Sequence, residues 1–221
     1  MRNLHDHLLT QVLSQRDLIL SRRSLLKGTA LAAGGAAALT ISGPAALGFR
    51  SAFAQDDAPF ADDIEVLNYA LTLEHLETAF YRDNAGSYDL GMDAFGNDIG
   101  AWMMAIGEHE QAHVDTLTQV ITDLGGEPVA EAKYDFKVTD AMTFLATAAA
   151  LENTGVSAYD GAGQYLQNMD LITAAGSIVA VEARHASYLN LITGAEPFPE
   201  AFEQAKSPDE ILEIATPFIV M

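Results

Sequence analysis

The heptapeptide GEHEQAH, residues 107–113, places two carboxylates and two imidazoles in a segment that otherwise has the apolar periodicity of a helix. Glu110 and His113 fall on the apolar face, three residues apart, so both are expected to project into the core. Glu108 and His109 point elsewhere. Because burying one unpaired charge costs several kcal/mol, a helix that buries this pair needs compensating groups on its neighbours.

Matching groups occur in three other segments with helical periodicity. A second Glu-x-x-His pair lies on an apolar face at Glu182 and His185. Two further segments each place a lone glutamate on the inner face, followed seven residues later by a tyrosine: Glu74 with Tyr81, and Glu152 with Tyr159. The chain is therefore a pseudo-repeat, in which Glu-x6-Tyr precedes Glu-x-x-His twice.

Four carboxylates and two imidazoles that meet in one core carry a formal charge of −4. Two divalent cations offset this charge completely. Oxygen-rich ligation with one nitrogen per metal suits iron(II) or manganese(II), whereas zinc is less expected and calcium rarely takes imidazole. The predicted metal-binding and catalytic residues are Glu74, Glu110, His113, Glu152, Glu182 and His185.

The apolar pattern predicts an all-α fold, a four-helix bundle with a short C-terminal helix. The predicted helices span residues 63–81, 98–124, 140–166, 170–192 and 208–215. The connection between helices 2 and 3 has about fifteen residues, which at about 3.3 Å each can run the length of the bundle. We therefore expect a crossover there, whereas the short link between helices 3 and 4 requires an antiparallel turn.

Residues 1–54 have the features of an export signal. Arg22 and Arg23 precede an Ala- and Gly-rich apolar run at 28–49, and an AFA cleavage site ends at Ala54. The segment resembles a twin-arginine signal, which implies export of the folded protein by the twin-arginine machinery, cleavage after Ala54, and a periplasmic or otherwise exported location. An uncleaved membrane anchor is the alternative, but the glycines and Pro44 make a weak spanning helix.

The composition of the remaining domain, residues 55–221, restricts its partners. It keeps 5 basic residues against 29 acidic ones, a formal net charge of −24. Such a surface repels nucleic acid and anionic lipid and attracts cations. We therefore expect neither nucleic acid nor an anionic membrane as a partner. The chain has no cysteine, which excludes disulfides, thiolate metal sites, iron–sulfur clusters and a cysteine nucleophile.

These motifs resemble the ferritin-like superfamily, and within it the twin-arginine-exported ferritin-like domain proteins related to desiccation-associated proteins. The resemblance covers about residues 62–193, in the stretches ALTLEHLETAFY, GEHEQAHVDTL, ALENTGVSAYDGA and VEARHASYL. It implies terminal ligands at Glu74 and Glu152, bridging ligands at Glu110 and Glu182, and one imidazole per metal. It also implies that Tyr81 and Tyr159 hydrogen-bond to the carboxylates.

The predicted function is that of an exported di-iron or di-manganese carboxylate protein. Its reaction would be iron(II) oxidation or other redox chemistry with dioxygen or peroxide, catalysed at the dinuclear centre. A non-catalytic envelope or stress protein, in which the metal only clamps the bundle, is the alternative. A storage cage has weaker support because the sequence contains no recognisable assembly interface, and the sequence leaves a homodimer open.

Three residues next to the predicted ligands allow two interpretations each. Glu77, one turn after Glu74, fits a carboxylate at the rim better than an access-path or third-metal ligand. His75 and His109 follow or precede ligands directly, and their side chains point about 100° away from them. Both are therefore predicted to be surface histidines.

Overall fold

The computed structural model describes residues 59–220. The predicted twin-arginine motif, the apolar run and the cleavage site after Ala54 all lie outside the described residues. No helix of residues 59–220 combines the length and the apolar character that crossing a bilayer requires.

Five α-helices make up the described domain, and this confirms the predicted all-α four-helix bundle. Four are long: α1 (Asp63–Asn84), α2 (Ile99–Asp123), α3 (Ala141–Ala162) and α4 (Met169–Thr193). The fifth, α5 (Pro208–Ala215), is short. Helix α3 ends four residues before the predicted Leu166, because the chain tightens into a 3₁₀ turn at Gly163–Tyr165.

The helix ends follow from local side-chain chemistry. The carboxylates of Asp62, Asp98 and Asp140 accept hydrogen bonds from backbone N–H groups in the first turns of α1, α2 and α3. These groups would otherwise lack a partner at a helix N-terminus. Helix α4 is capped at its C-terminus by Gly194, whose φ of 81° is the left-handed conformation that glycine adopts without a Cβ penalty.

Two antiparallel hairpins, α1 with α2 and α3 with α4, pack face to face. The segment between them runs along α1 from its first turns to its end. The backbone of residues 127–129 bonds to Asn68 near the start of α1, and the carbonyl of Val138 accepts a bond from Tyr88 beyond its end. This path is the predicted crossover, and it allows all four long helices to face one core.

Aromatic packing fixes the crossover against the bundle. The Phe80 ring lies 5.2 Å from Phe136 of the crossover and stacks at 5.1 Å on Phe144 of α3. Helix α5 closes the domain by burying Ile211 completely. The segment before α5 approaches α3 so closely that a Cβ at Gly161 would lie 1.9 Å from the carbonyl oxygen of Lys206, so this contact requires glycine.

Candidate metal centre

All six predicted ligands converge in the middle of the bundle. The four glutamates are fully buried, and His113 and His185 are 9% and 6% exposed. Their donor atoms form two overlapping groups, and within each group the atoms lie within 4.8 Å of one another. The first group is Glu74, Glu110, His113 and Glu182, and the second is Glu110, Glu152, Glu182 and His185.

Glu110 and Glu182 belong to both groups. One oxygen of Glu110, Oε2, lies 3.0 Å from Nδ1 of His113, and the other, Oε1, lies 3.0 Å from Nδ1 of His185. Glu182 Oε1 lies 3.0 Å from Nδ1 of His113. The geometry therefore contains two neighbouring positions that share two carboxylates, each with one imidazole and one further glutamate.

The two tyrosines hold the two unshared glutamates, and they do so across the halves of the repeat. The hydroxyl of Tyr81 donates to Glu152 Oε1 at 2.6 Å, and that of Tyr159 donates to Glu74 Oε1. The second oxygen of each glutamate faces an imidazole, 3.2 Å from His113 for Glu74 and 3.1 Å from His185 for Glu152. Each carboxylate thus has one oxygen fixed and one directed into the centre.

Protons balance part of the charge when the centre holds no metal. Burial disfavours a charged imidazole, but the surrounding glutamates outweigh burial and raise the pKa of His113 to about 12 and that of His185 to about 9. Burial also opposes ionisation of Glu110, yet the two imidazoles 3.0 Å from its oxygens lower its pKa to about 2. At neutral pH these three groups are charged.

The remaining carboxylates are poorly compensated. Burial raises the pKa of Glu74 to about 7, and burial together with neighbouring carboxylates raises the pKa of Glu152 and, more strongly, that of Glu182. Both oxygens of Glu182 and Oε1 of Glu110 are buried without a hydrogen-bond partner. Such atoms are rare in folded proteins unless an ion binds them. The donor set therefore fits divalent cations, with four carboxylates and two imidazoles as ligands.

Glu77 is buried beside the centre, so its prediction as a rim carboxylate is wrong. Its exposed fraction is 3%. The carboxylate fills space left by Gly155, since a Cβ there would lie 3.0 Å from Glu77 Oε1 and 3.3 Å from Glu182 Oε2. Burial and the repulsion of the four other glutamates raise the pKa of Glu77 well above its usual range. Gly155 stands in the pseudo-repeat where the first half has Glu77, and the glycine makes room for a fifth buried carboxylate.

The two neighbouring histidines differ. His75 contacts the crossover, where its Nε2 lies 3.1 Å from the carbonyl oxygen of Val129. His109 is exposed, as predicted, but its Nδ1 lies 2.9 Å from Nε2 of His185. Helical spacing directs the side chain of His109 away from that of Glu110 on α2. His109 contacts His185 because α4 lies next to this face of α2.

Comparisons with known proteins agree with this architecture. The sequence profile of the family described as Ferritin-like domain matches residues 62–195. No functionally curated protein matches the chain.

Solved structures share the fold at low sequence identity. A conserved hypothetical protein from Mycobacterium tuberculosis is 21% identical, with a TM-score of 0.51, over 62% of this chain and 94% of that one. A structure from Bacillus anthracis, described as ferritin-like, diiron-carboxylate proteins, is 22% identical, with a TM-score of 0.50 over 59% and 94%. A dodecameric thioferritin from Bacteroides fragilis is 24% identical, with a TM-score of 0.51 over 59% and 83%.

The family match spans more than half of the chain and all four long helices that surround the six converging side chains. The chain belongs to the ferritin-like domain family.

Proposed function

We propose that this protein binds two divalent ions, iron or manganese, at the buried centre and oxidises iron(II) with dioxygen or peroxide after export by the twin-arginine pathway. The observation that carries the proposal is the pair of overlapping donor groups, which share Glu110 and Glu182. The Bacillus anthracis structure, described as diiron-carboxylate, adds support at the level of the fold.

The chemistry of the proposal balances with simple reactants. Two iron(II) ions give up one electron each, and two protons accompany these electrons. Together they reduce dioxygen to hydrogen peroxide, or hydrogen peroxide to two waters. A pair of bound ions supplies two adjacent one-electron centres, which is the number that either reduction requires.

The chain's own residues would bind, orient and shield the ions. Tyr81 and Tyr159 fix one oxygen of each unshared glutamate, so the other oxygen stays directed at the centre. The four ligand glutamates are fully buried, which excludes water and strengthens electrostatic interactions inside the site. Carboxylate and imidazole ligands are compatible with both the divalent and the trivalent oxidation states of iron and manganese.

Stopped-flow oxidation of iron(II) tests the proposal. The purified domain should oxidise added iron(II) faster than buffer alone, with a burst of about two iron(II) per chain. Glu182→Gln removes a shared carboxylate and should abolish the burst. Glu108→Gln is the matched control, because Glu108 is an exposed residue of the same helix as Glu110. Oxidation no faster than in buffer would refute the enzymatic part.

A non-catalytic metal clamp is the second candidate, and complete burial of the four glutamates favours it. A structural ion needs a closed site, whereas a catalytic ion needs access for its oxidant. Thermal unfolding with and without a chelator separates the two candidates when read beside the oxidation assay. A clamp loses stability on chelation and shows no burst.

Export is tested independently of the chemistry. Fusion of residues 1–54 to a reporter that must fold before export should place the reporter outside the cytoplasm, and Arg22→Lys together with Arg23→Lys should retain it inside. N-terminal sequencing of the exported protein should begin at Gln55. Unchanged export of the double variant would contradict the twin-arginine assignment.

A further inference from the structure

His109 and His185 form a pair of imidazoles that connects the centre to the surface. Their rings are nearly parallel, at 13°, with centroids 5.2 Å apart. Nδ1 of His109 lies 2.9 Å from Nε2 of His185, which is hydrogen-bond distance. His109 is exposed and His185 is buried, so the pair crosses from solvent to the interior.

The surroundings of His185 determine which atom donates. Its Nδ1 faces the centre, 3.0 Å from Glu110 Oε1 and 3.1 Å from Glu152 Oε2. A ring that binds a cation through Nδ1 keeps its remaining proton on Nε2. With a cation bound at Nδ1, Nε2–H of His185 therefore donates and Nδ1 of His109 accepts.

The other imidazole has no such partner. The hydrogen bonds of His113 use Nδ1, toward Glu74 and Glu110, and within residues 59–220 no protein group hydrogen-bonds to its Nε2. In the pseudo-repeat Glu110 corresponds to Glu182, so His109 corresponds to Val181. The side chain of valine cannot accept a hydrogen bond. The pseudo-repeat is thus broken at this position, and only one of the two metal positions has a supported imidazole.

We propose that His109 is a positioning residue that fixes the ring of His185 and makes the position of Glu152 and His185 the tighter of the two metal positions. An acceptor on the outer nitrogen fixes the tautomer and ring orientation and raises the basicity of the inner nitrogen, and removing such a partner typically costs about 10- to 100-fold in metal affinity. The inference rests on the proposed dinuclear centre and assigns unequal affinities to its two halves.

Cobalt(II) titration of the metal-free protein, followed by visible absorption and competition with a chelator, tests the inference. The unsubstituted protein should bind two ions with separate affinities. His109→Ala should weaken the tighter step by about 10- to 100-fold and leave the weaker step unchanged. His109→Asn should restore most of the loss, because the amide oxygen of asparagine can accept near the place of Nδ1.

A matched control and a spectroscopic signature exclude a general structural effect. His75→Ala removes the other ligand-adjacent histidine and should leave both affinities unchanged. In proton NMR of the cobalt(II) protein, the shifted Nε2–H signal of His185 should exchange slowly with water, quickly in His109→Ala, and slowly again in His109→Asn. A side chain that only packs on the surface would not govern this exchange.

Three results would overturn the inference while leaving the dinuclear centre intact: both steps unchanged in His109→Ala, both weakened equally, or no recovery in His109→Asn. Failure of the unsubstituted protein to bind two cobalt(II) ions would instead overturn the proposed centre itself. The two failures are therefore distinguishable in one titration series.

Discussion

Replacing Glu182 with glutamine should separate metal binding from folding. Glu182 is fully buried, both its oxygens lack a hydrogen bond, and burial with neighbouring carboxylates raises its pKa well above the usual range. An unsatisfied buried polar group costs about 1–3 kcal/mol. The nearly isosteric amide cannot ionise, and it places a neutral group in the 3.0 Å contact with His113. We therefore expect the metal-free variant to be as stable as the unsubstituted protein, or more stable by about 1 kcal/mol.

The stabilisation that bound metal provides, by contrast, should be smaller in Glu182→Gln than in the unsubstituted protein. An ion present at 1,000 times its dissociation constant stabilises the native state by about 4.1 kcal/mol. For a domain of this size each kcal/mol raises Tm by about 2–4 °C, so each tightly bound ion should raise Tm by about 8–16 °C. Because Glu182 belongs to both donor groups, Glu182→Gln should reduce the rise by more than half.

Differential scanning calorimetry of the metal-free and manganese(II)-saturated proteins measures both effects. The control variant Glu108→Gln changes an exposed carboxylate and should keep the full metal-induced rise. The reasoning is wrong if metal-free Glu182→Gln loses more than about 2 kcal/mol, or if its metal-induced rise equals that of the unsubstituted protein.

Three further predictions follow from the electrostatics and packing of the centre. Because the pKa of Glu74 is raised to about 7, its contribution to metal-free stability is complete below about pH 4.5 and is lost as the pH rises through 7. Tm of the metal-free protein should therefore fall between about pH 4.5 and 7, while the metal-induced rise, which requires deprotonated ligands, should grow; a flat profile would contradict this. Tyr159→Phe removes the hydrogen bond to Glu74 and should lower the free energy of unfolding by about 1.5–3 kcal/mol in urea denaturation, against no change if Glu74 needs no donor. Gly155→Ala should cost about 1–3 kcal/mol in a chain that keeps Glu77, and less in Glu77→Ala, so a double-mutant cycle with no coupling would refute their contact.

Periodicity was sufficient to predict the fold and the convergence of the six side chains. A buried Glu-x-x-His pair can face only one side of a helix, so the sequence of two such helices and two single-glutamate helices already defines one core. The reach of residues 125–139, which are long enough to run the length of the bundle, allowed the crossover to be expected once the helices were paired as two hairpins.

The surroundings of the centre were harder to predict because they depend on contacts between helices. The prediction that Glu77 is a rim carboxylate was wrong because the burial of Glu77 depends on Gly155 of another helix. Gly155 leaves space for a fifth carboxylate. The pseudo-repeat contained a usable signal, since Gly155 stands where the first half has Glu77. The contact of His109 with His185 likewise depends on how α2 packs against α4, which helical spacing within α2 does not specify.

Anomalous X-ray scattering at the iron and manganese edges, from crystals of the protein purified from its exported compartment, tests the central claim most directly. Two anomalous peaks, each marking one iron or manganese ion, should lie between Glu110 and Glu182. Nδ1 of His113 should bind one ion and Nδ1 of His185 the other. No peak among these side chains, or a single ion bound by only one of the two imidazoles, would contradict a dinuclear centre.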